Sequence, residues 1–279
     1  MSNIVVKDVV ETNSLIWFRN DLRINDHEGI NSALLGSGKV VGFYCFNPRK
    51  FEMTNLGFPK IDKFRAKFLL ETIENLKEDL KRINITLIIK IGDPVEELTK
   101  IILQQKIENV FLQKEWTQEE VDEEYKLKSN CNNLNFNTFY SQFLYDPDDL
   151  VINNISNVFT NFRKHCEKKL KVKDLVEPPK KLLKDNLLTD DYLVPSLLDL
   201  GLEDFEIDSR SAFKFKGGHD AAKQRLDFYL WQSKKINFYK QTRNGLIGQD
   251  YSSKFSSWLS NGSISAREIF WEIKDYEKN

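Results

Sequence analysis

Five short apolar runs in the first 140 residues, each separated from the next by enough chain for a helix, restrict this sequence to few folds. Leu15–Phe18, Val40–Phe46, Ile85–Ile91 and Asn109–Leu112 read as strands, and Leu134–Phe139 as a fifth. Asn47-Pro48 stops the second run and Gly92-Asp93-Pro94 the third. Between them, Ile61–Arg82 places Phe64, Phe68, Leu69, Ile73, Leu76 and Leu80 three to four residues apart, the spacing of an amphipathic helix. Pro94 sits at a helix start, where its missing N–H costs nothing. Strands spaced by helices imply parallel βαβ crossovers. The expected fold class is therefore α/β, a doubly wound, parallel five-stranded sheet covered on both faces.

The pattern changes after residue 140. Asp146-Pro147-Asp148-Asp149 is turn chemistry, and Glu177-Pro178-Pro179 and Val194-Pro195 punctuate a stretch of weak periodicity. From Gly217 the signal is helical, with Ala221, Leu226, Tyr229 and Leu230 in one segment, then a loop with Gly245 and Gly248. A last helix starts near Ser265. Ser265 and Glu268 have the spacing of a capping box, and Ile269, Phe270 and Ile273 supply an apolar face. The expected organisation is an α/β domain over 1–140, a linker over 141–205 and a helical part over 206–279. A length of 279 residues agrees with about two units.

Composition excludes several classes. With 41% hydrophobic and 30% charged residues the chain suits soluble packing, and no apolar run approaches the roughly 18 residues of a membrane span. The opening MSNIVVKDVVETN carries Lys7, Asp8 and Glu11 and no small-residue cleavage site, so no signal peptide is expected. Cys45, Cys131 and Cys166 form no CxxC pair, which argues against a disulfide scaffold or structural zinc and for a reducing cytoplasm. The net charge of −1 hides a local +7 between Arg210 and Lys254, from ten basic and three acidic residues, which permits contact with phosphates. Glu115 to Glu124 holds six carboxylates and no basic residue, a pattern equally at home on a solvated helix face.

Familiar catalytic signatures are missing. The sequence has no GxGxxG after its first strand, no GxxxxGK[ST], no HExxH and no GxSxG. His27, His165 and His219 are far apart in sequence with no carboxylate pattern between them, so no metal site is expected. An α/β sheet still offers a ligand crevice at the carboxyl ends of its strands.

Several segments carry a more specific signal. Leu15-Ile16-Trp17-Phe18-Arg19-Asn20-Asp21-Leu22-Arg23, followed by Asp26, resembles the opening of photolyases and cryptochromes. Phe46-Asn47-Pro48-Arg49 resembles the FDPR after their second strand, and Val158–Lys164 fits their interdomain segment. Tyr239-Lys240-Gln241-Thr242-Arg243-Asn244-Gly245-Leu246-Ile247-Gly248, then Asp250–Ser256, is similar to the DASH branch of cryptochromes. The resemblance implies an antenna domain, a long linker and a helical domain that holds FAD. It implies light-driven electron transfer from flavin, serving repair of cyclobutane pyrimidine dimers in single-stranded DNA or photoreception. A monomer without membrane contact is the implied state of such a protein.

Matched residue by residue, the resemblance assigns FAD contacts to Tyr239, Ser252, Ser253, Lys254, Phe255 and Ser256. It places Arg243 at the DNA-facing rim; on a helix Arg243 shares a face with Tyr239. Glu120, with Glu119 beside it, falls at an antenna site for a folate, 5,10-methenyltetrahydrofolate. A carboxylate there can accept two pterin N–H donors, and a helix N-terminal acid is the alternative reading. Phe46 is a candidate for lining that pocket, although a strand-end Phe equally suits a core. Arg19, Asp21 and Arg23 read as paired charges that fix the domain contact. No catalytic residue and no metal ligand is assigned.

The chain departs from this family in one respect. It ends at Tyr276–Asn279, before the segment that carries the rest of the flavin pocket and the electron-relay tryptophans. The expectation is an N-terminal fragment or truncated reading frame that holds FAD weakly and exposes Ile269, Phe270 and Ile273. A reading from another class follows: a free-standing folate- or nucleotide-binding α/β module without flavin chemistry.

Overall fold

A computed structural model describes residues 12–150 and 156–279. The opening segment read for a signal peptide lies almost wholly outside them. The elements in chain order are β1 (Asn13–Trp17), α1 (Glu28–Ala33), β2 (Val40–Phe46), α2 (Lys63–Arg82), β3 (Thr86–Ile91), α3 (Pro94–Gln104), β4 (Ile107–Gln113), α4 (Gln118–Asn130) and β5 (Asn135–Phe139). They are followed by α5 (Phe159–Lys169), α6 (His219–Asp227), α7 (Tyr239–Thr242), α8 (Ser256–Ser260) and α9 (Ala266–Lys278). The sheet is parallel with the order β3-β2-β1-β4-β5. The winding direction reverses at β1, so the switch point lies between β1 and β4, as a doubly wound sheet requires.

Alternation sorts the strand residues. Ile16, Phe18, Tyr44 and Phe46 join α1 and α2 in one apolar cluster. Leu15, Trp17, Val41 and Phe43 join α3 and Leu127 of α4 in the other. Helix starts follow local chemistry. Asp62 caps α2, and Asp93 caps α3 by accepting from the N–H groups of Val95 and Glu96 ahead of Pro94. One residue of the predicted apolar face of α2 turns outward: Phe64 is 63% exposed and meets Phe205 edge-on at 4.5 Å. The connection after residue 140 is not detached. Leu197 and Leu200 pack into the first cluster.

The helical part has its own core around Leu226, Tyr229, Phe255 and Trp258. The predicted exposed face of α9 is corrected here. Ile269 is 9% exposed, and Ile273 packs against this core with Tyr276. The capping box is also half-formed. Ser265 accepts from the N–H of Glu268, while the Glu268 carboxylate pairs with His219 at 3.0 Å.

The loop after β1 joins the two parts. Arg23 is 1% exposed and donates to the carbonyls of Asn25, Asp26, Ser141 and Gly262, all at 2.9–3.0 Å. Asp26 accepts from Arg267 of α9 and from the N–H of Val176. Asp21 accepts from the Arg19 N–H and from His27, whose Nδ1 in turn accepts from Ile30, so its Nε2 carries the proton. Burial raises the Asp21 carboxyl, and the hydrogen bonds from His27 and the Arg19 N–H, with the charge of Arg23, outweigh it, leaving the group below the ordinary range. Gly262 meets this loop at φ 72°; a Cβ there would lie 2.1 Å from the Asn20 carbonyl oxygen, so only glycine fits.

Candidate functional site

The carboxyl ends of β1 and β2 and the first turns of α4, the helix after β4, enclose a cleft of about 580 Å³. Its walls come from Arg19 and Asn20 after β1, Asn47 and Lys50 after β2, and Glu119, Glu120 and Glu123 of α4. Phe64 and Arg65 of α2 and Ser257 and Ser260 of α8 close the far side. A cleft at the switch point, shared with the helical part, is where an α/β sheet places its ligand.

The two neighbouring glutamates differ in environment. Glu119 is exposed and hydrogen-bonded to Lys60, which holds its carboxyl below the ordinary range. Glu120 turns inward. Its Oε1 lies 3.9 Å from Lys50 Nζ, and its Oε2 is buried with no partner. Arg19 lies over the Trp17 ring and donates to the carbonyls of Gln113 and Glu120, yet its Nε is also buried and unpaired. The cleft therefore holds one buried acceptor and one buried donor without partners, and such groups call for a ligand or water. Burial pushes the Glu115 and Glu123 carboxyls up; hydrogen bonds from Gln113 and Asn20 offset part of this at Glu115. Burial, with the charges of Glu97, Glu123 and Asp93, pushes the Cys45 thiol up to about 12, so it is no nucleophile at neutral pH.

The expectation for Phe46 is corrected. Phe46 is 1% exposed and packs edge-on against Tyr44 inside the first core. Tyr44, which lies edge-on to it, lines the cleft instead.

A second group lies within the helical part. Tyr239 opens α7, and the Arg243 N–H donates to the Tyr239 carbonyl, so the two share a face as expected. Both are exposed. Thr242 ties α7 to Tyr251 through its hydroxyl. The segment from Gln249 to Ser253 wraps around Arg225, a residue the sequence reading missed. Arg225 is 4% exposed, donates to the carbonyls of Gln249, Ser252 and Ser253, and pairs with Asp250 at 2.7 Å. Its signal in the sequence was a charge at a buried helical position, three residues after Ala222 and one before Leu226.

With those carbonyls turned inward, the hydroxyls of Ser252, Ser253 and Ser256 have no hydrogen-bond partner among the described residues. Lys254 lies over the Tyr251 ring at 3.5 Å. Phe255 is 8% exposed and packs on Tyr229, so it acts as core and not as a direct contact. Free hydroxyls on a loop held by a buried arginine fit the phosphate end of a nucleotide. The surroundings are open: Leu246 and Ile247 are 87% and 95% exposed.

A doubly wound sheet with this cleft, clamped through its first loop to a helical part, is an architecture shared with a known family of flavoprotein-like fold. The sequence model of the DNA photolyase family matches residues 14–181, and the chain belongs to that family. It is similar to cryptochrome DASH of Gloeobacter violaceus, 40% identical over 94% of this chain and 53% of that protein, and to cryptochrome DASH of Xenopus laevis, 39% identical over 93% and 51%. The chain spans about half the length of the curated relatives it matches. The crystal structure of a Synechocystis cryptochrome superimposes with a TM-score of 0.90 at 34% identity, over 96% of this chain and 56% of that one. A class III photolyase of Agrobacterium tumefaciens shares the fold, at TM-score 0.77 and 19% identity, over 99% and 56%.

Among the described residues, no helix is long and apolar enough to cross a membrane.

Proposed function

We propose that this chain serves blue-light flavin chemistry of the DASH type, and the Arg225 clasp on residues 249–253 is the observation that carries it. Tyr239, Ser252, Ser253, Lys254 and Ser256 would hold FAD from its phosphate side. FAD, when bound, supplies the light-driven electron. The polypeptide orients the phosphates, and Arg225 keeps the loop from collapsing onto its own carbonyls. The substrate in this reading is a pyrimidine dimer in single-stranded DNA, with Arg243 at the rim, and photoreception is the alternative output. The reading includes the division into 1–140, 141–205 and 206–279, a cytoplasmic location and a monomer.

The test is flavin fluorescence titration of the 279-residue chain. Because the group is open, the purified chain is expected to be colourless and to bind added FAD weakly. Arg225→Met should weaken that binding at least about tenfold, or ~1.4 kcal/mol. A stoichiometric flavin spectrum from the purified chain would overturn the open half-site. Equal affinity of the two proteins would overturn the role of the loop.

A second reading is favoured by the cleft itself, which is walled by both parts of the chain while the flavin group is open. It is that of a folate- or nucleotide-binding module, with 5,10-methenyltetrahydrofolate as the first candidate. Glu120 would accept N–H donors of the pterin, and Glu119 would stay outside, held by Lys60. Glu120→Gln should weaken folate binding by roughly 1.5–3 kcal/mol, followed by near-ultraviolet absorbance. Unchanged affinity would remove Glu120 from the site.

A further inference from the structure

Between Arg163 and Lys184 the chain holds nine Lys or Arg and three Asp or Glu, a local +6 within 22 residues and denser than the 210–254 region. The structure arranges these cations on an outer track. On α5 the one buried position is Cys166. Lys164 and Lys168 lie two residues to either side, about 200° around the helix, and so face away from the body. From Lys169 to Lys173 the exposure alternates: Leu170 and Val172 are half-buried, and Lys169, Lys171 and Lys173 are exposed. That alternation places the lysines on one side, roughly 6.5–7 Å apart.

The segment then continues without helix, strand or bend to Leu183. It is pinned by Trp271 to the Lys173 carbonyl, by Asn31 to the Glu177 carbonyl, and by the Leu182 N–H to the Ile83 carbonyl. The last contact brings the segment to the end of α2, whose final turn carries Lys81. Arg163 and Lys173 are paired with carboxylates. Among the described residues, Lys164, Lys168, Lys169, Lys171, Lys180, Lys181 and Lys184 have no such partner.

We propose that this track binds the phosphate backbone of single-stranded nucleic acid, as a surface separate from the rim around Arg243. A row of unpaired cations on a segment that runs from α9 past α1 to the end of α2 follows the curvature of the body. A flexible polyanion can follow it, whereas a flat lipid surface meets only part of it. Each contacted phosphate releases condensed counterions, so the contribution of the track is read in the salt dependence of binding.

The experiment is fluorescence polarisation of a labelled oligothymidylate strand with the full chain at 50, 100 and 200 mM salt. Substituting Lys164→Gln, Lys168→Gln, Lys169→Gln and Lys171→Gln together should weaken binding at least about tenfold at 50 mM. It should also flatten the log–log salt slope by about 2 to 3, at ~0.7 per phosphate. A companion variant, Lys234→Gln, Lys235→Gln and Lys240→Gln with Arg243→Ala, should keep that share of the slope; its own loss reports on the rim separately. Circular dichroism checks that both variants fold. An unchanged slope in the linker variant would overturn the proposal. So would vesicles of phosphatidylserine that bind the wild type and release the linker variant while DNA binding stays the same.

Discussion

Replacing Arg23 by methionine is expected to cost about 3–5 kcal/mol of stability, measured by urea unfolding at neutral pH. The guanidinium is buried and donates to four carbonyls, two of them 118 and 239 residues away. Methionine fills much of the volume but leaves the Asn25, Asp26, Ser141 and Gly262 carbonyls without their donor. It also removes the cation beside Asp21 and Asp26. Arg23→Lys should recover only a minor part, because an ammonium is a point charge and cannot span a fork of four acceptors. A loss below about 1 kcal/mol in Arg23→Met would mean that water satisfies these carbonyls and that the junction does not depend on the arginine.

Glu268→Gln should remove a pH-dependent share of the same junction. Burial raises the Glu268 carboxyl, but the His219 hydrogen bond and charge, with Lys223 and Arg23, outweigh it and leave the group below its ordinary value of 4.5. A carboxyl lowered in the folded state stabilises above its unfolded value, and that stability is lost as pH falls through the folded value. The wild type should therefore exceed Glu268→Gln by about 2–4 kcal/mol at pH 7. The two should converge as the pH drops below 4.5. His219 also meets Asn25, so loosening its hold on Glu268 reaches the loop after β1. Unfolding midpoints from pH 3 to 7 check this, and two parallel curves would sink the assignment. The Asp21–His27 pair has the same sign and is common to both proteins, so it cancels in the difference.

Strands β1 to β4 were legible because their apolar runs are largely buried on both faces and need no partner to be recognised; β2 begins and ends at the residues read from the sequence. Helix α5 was not, since Cys166 is its one buried residue and no periodic signal arises from a single position. The charged loop after β1 was readable as a domain contact, but its acceptors are backbone carbonyls, which carry no residue identity. The same holds for Ser252 and Ser253. Their side chains attracted notice, while their carbonyls hold Arg225. Charge and spacing, apart from the resemblance, gave no reason to separate Glu119 from Glu120. Only the position of Lys60 and the turn of α4 toward Arg19 do so. Phe46 and Phe64 exchanged expectations: the strand-end ring entered the core and the helix ring faced the cleft.

The long reach of Arg23 constrains how the chain is made. β1 pairs with β4, so the central strand waits until Gln113 has left the ribosome. Its neighbouring arginine waits longer still, for Ser141 and then for Gly262. At about 5–20 residues per second, the interval between the first and last of these acceptors is of order ten seconds. During that time a guanidinium destined for burial sits in an unfinished seam, exposed to water and to chaperones. Closure of the seam is thus a late event in synthesis, and a ribosome stalled between those two acceptors would display a formed sheet whose open edge carries an arginine not yet paired with its last acceptor.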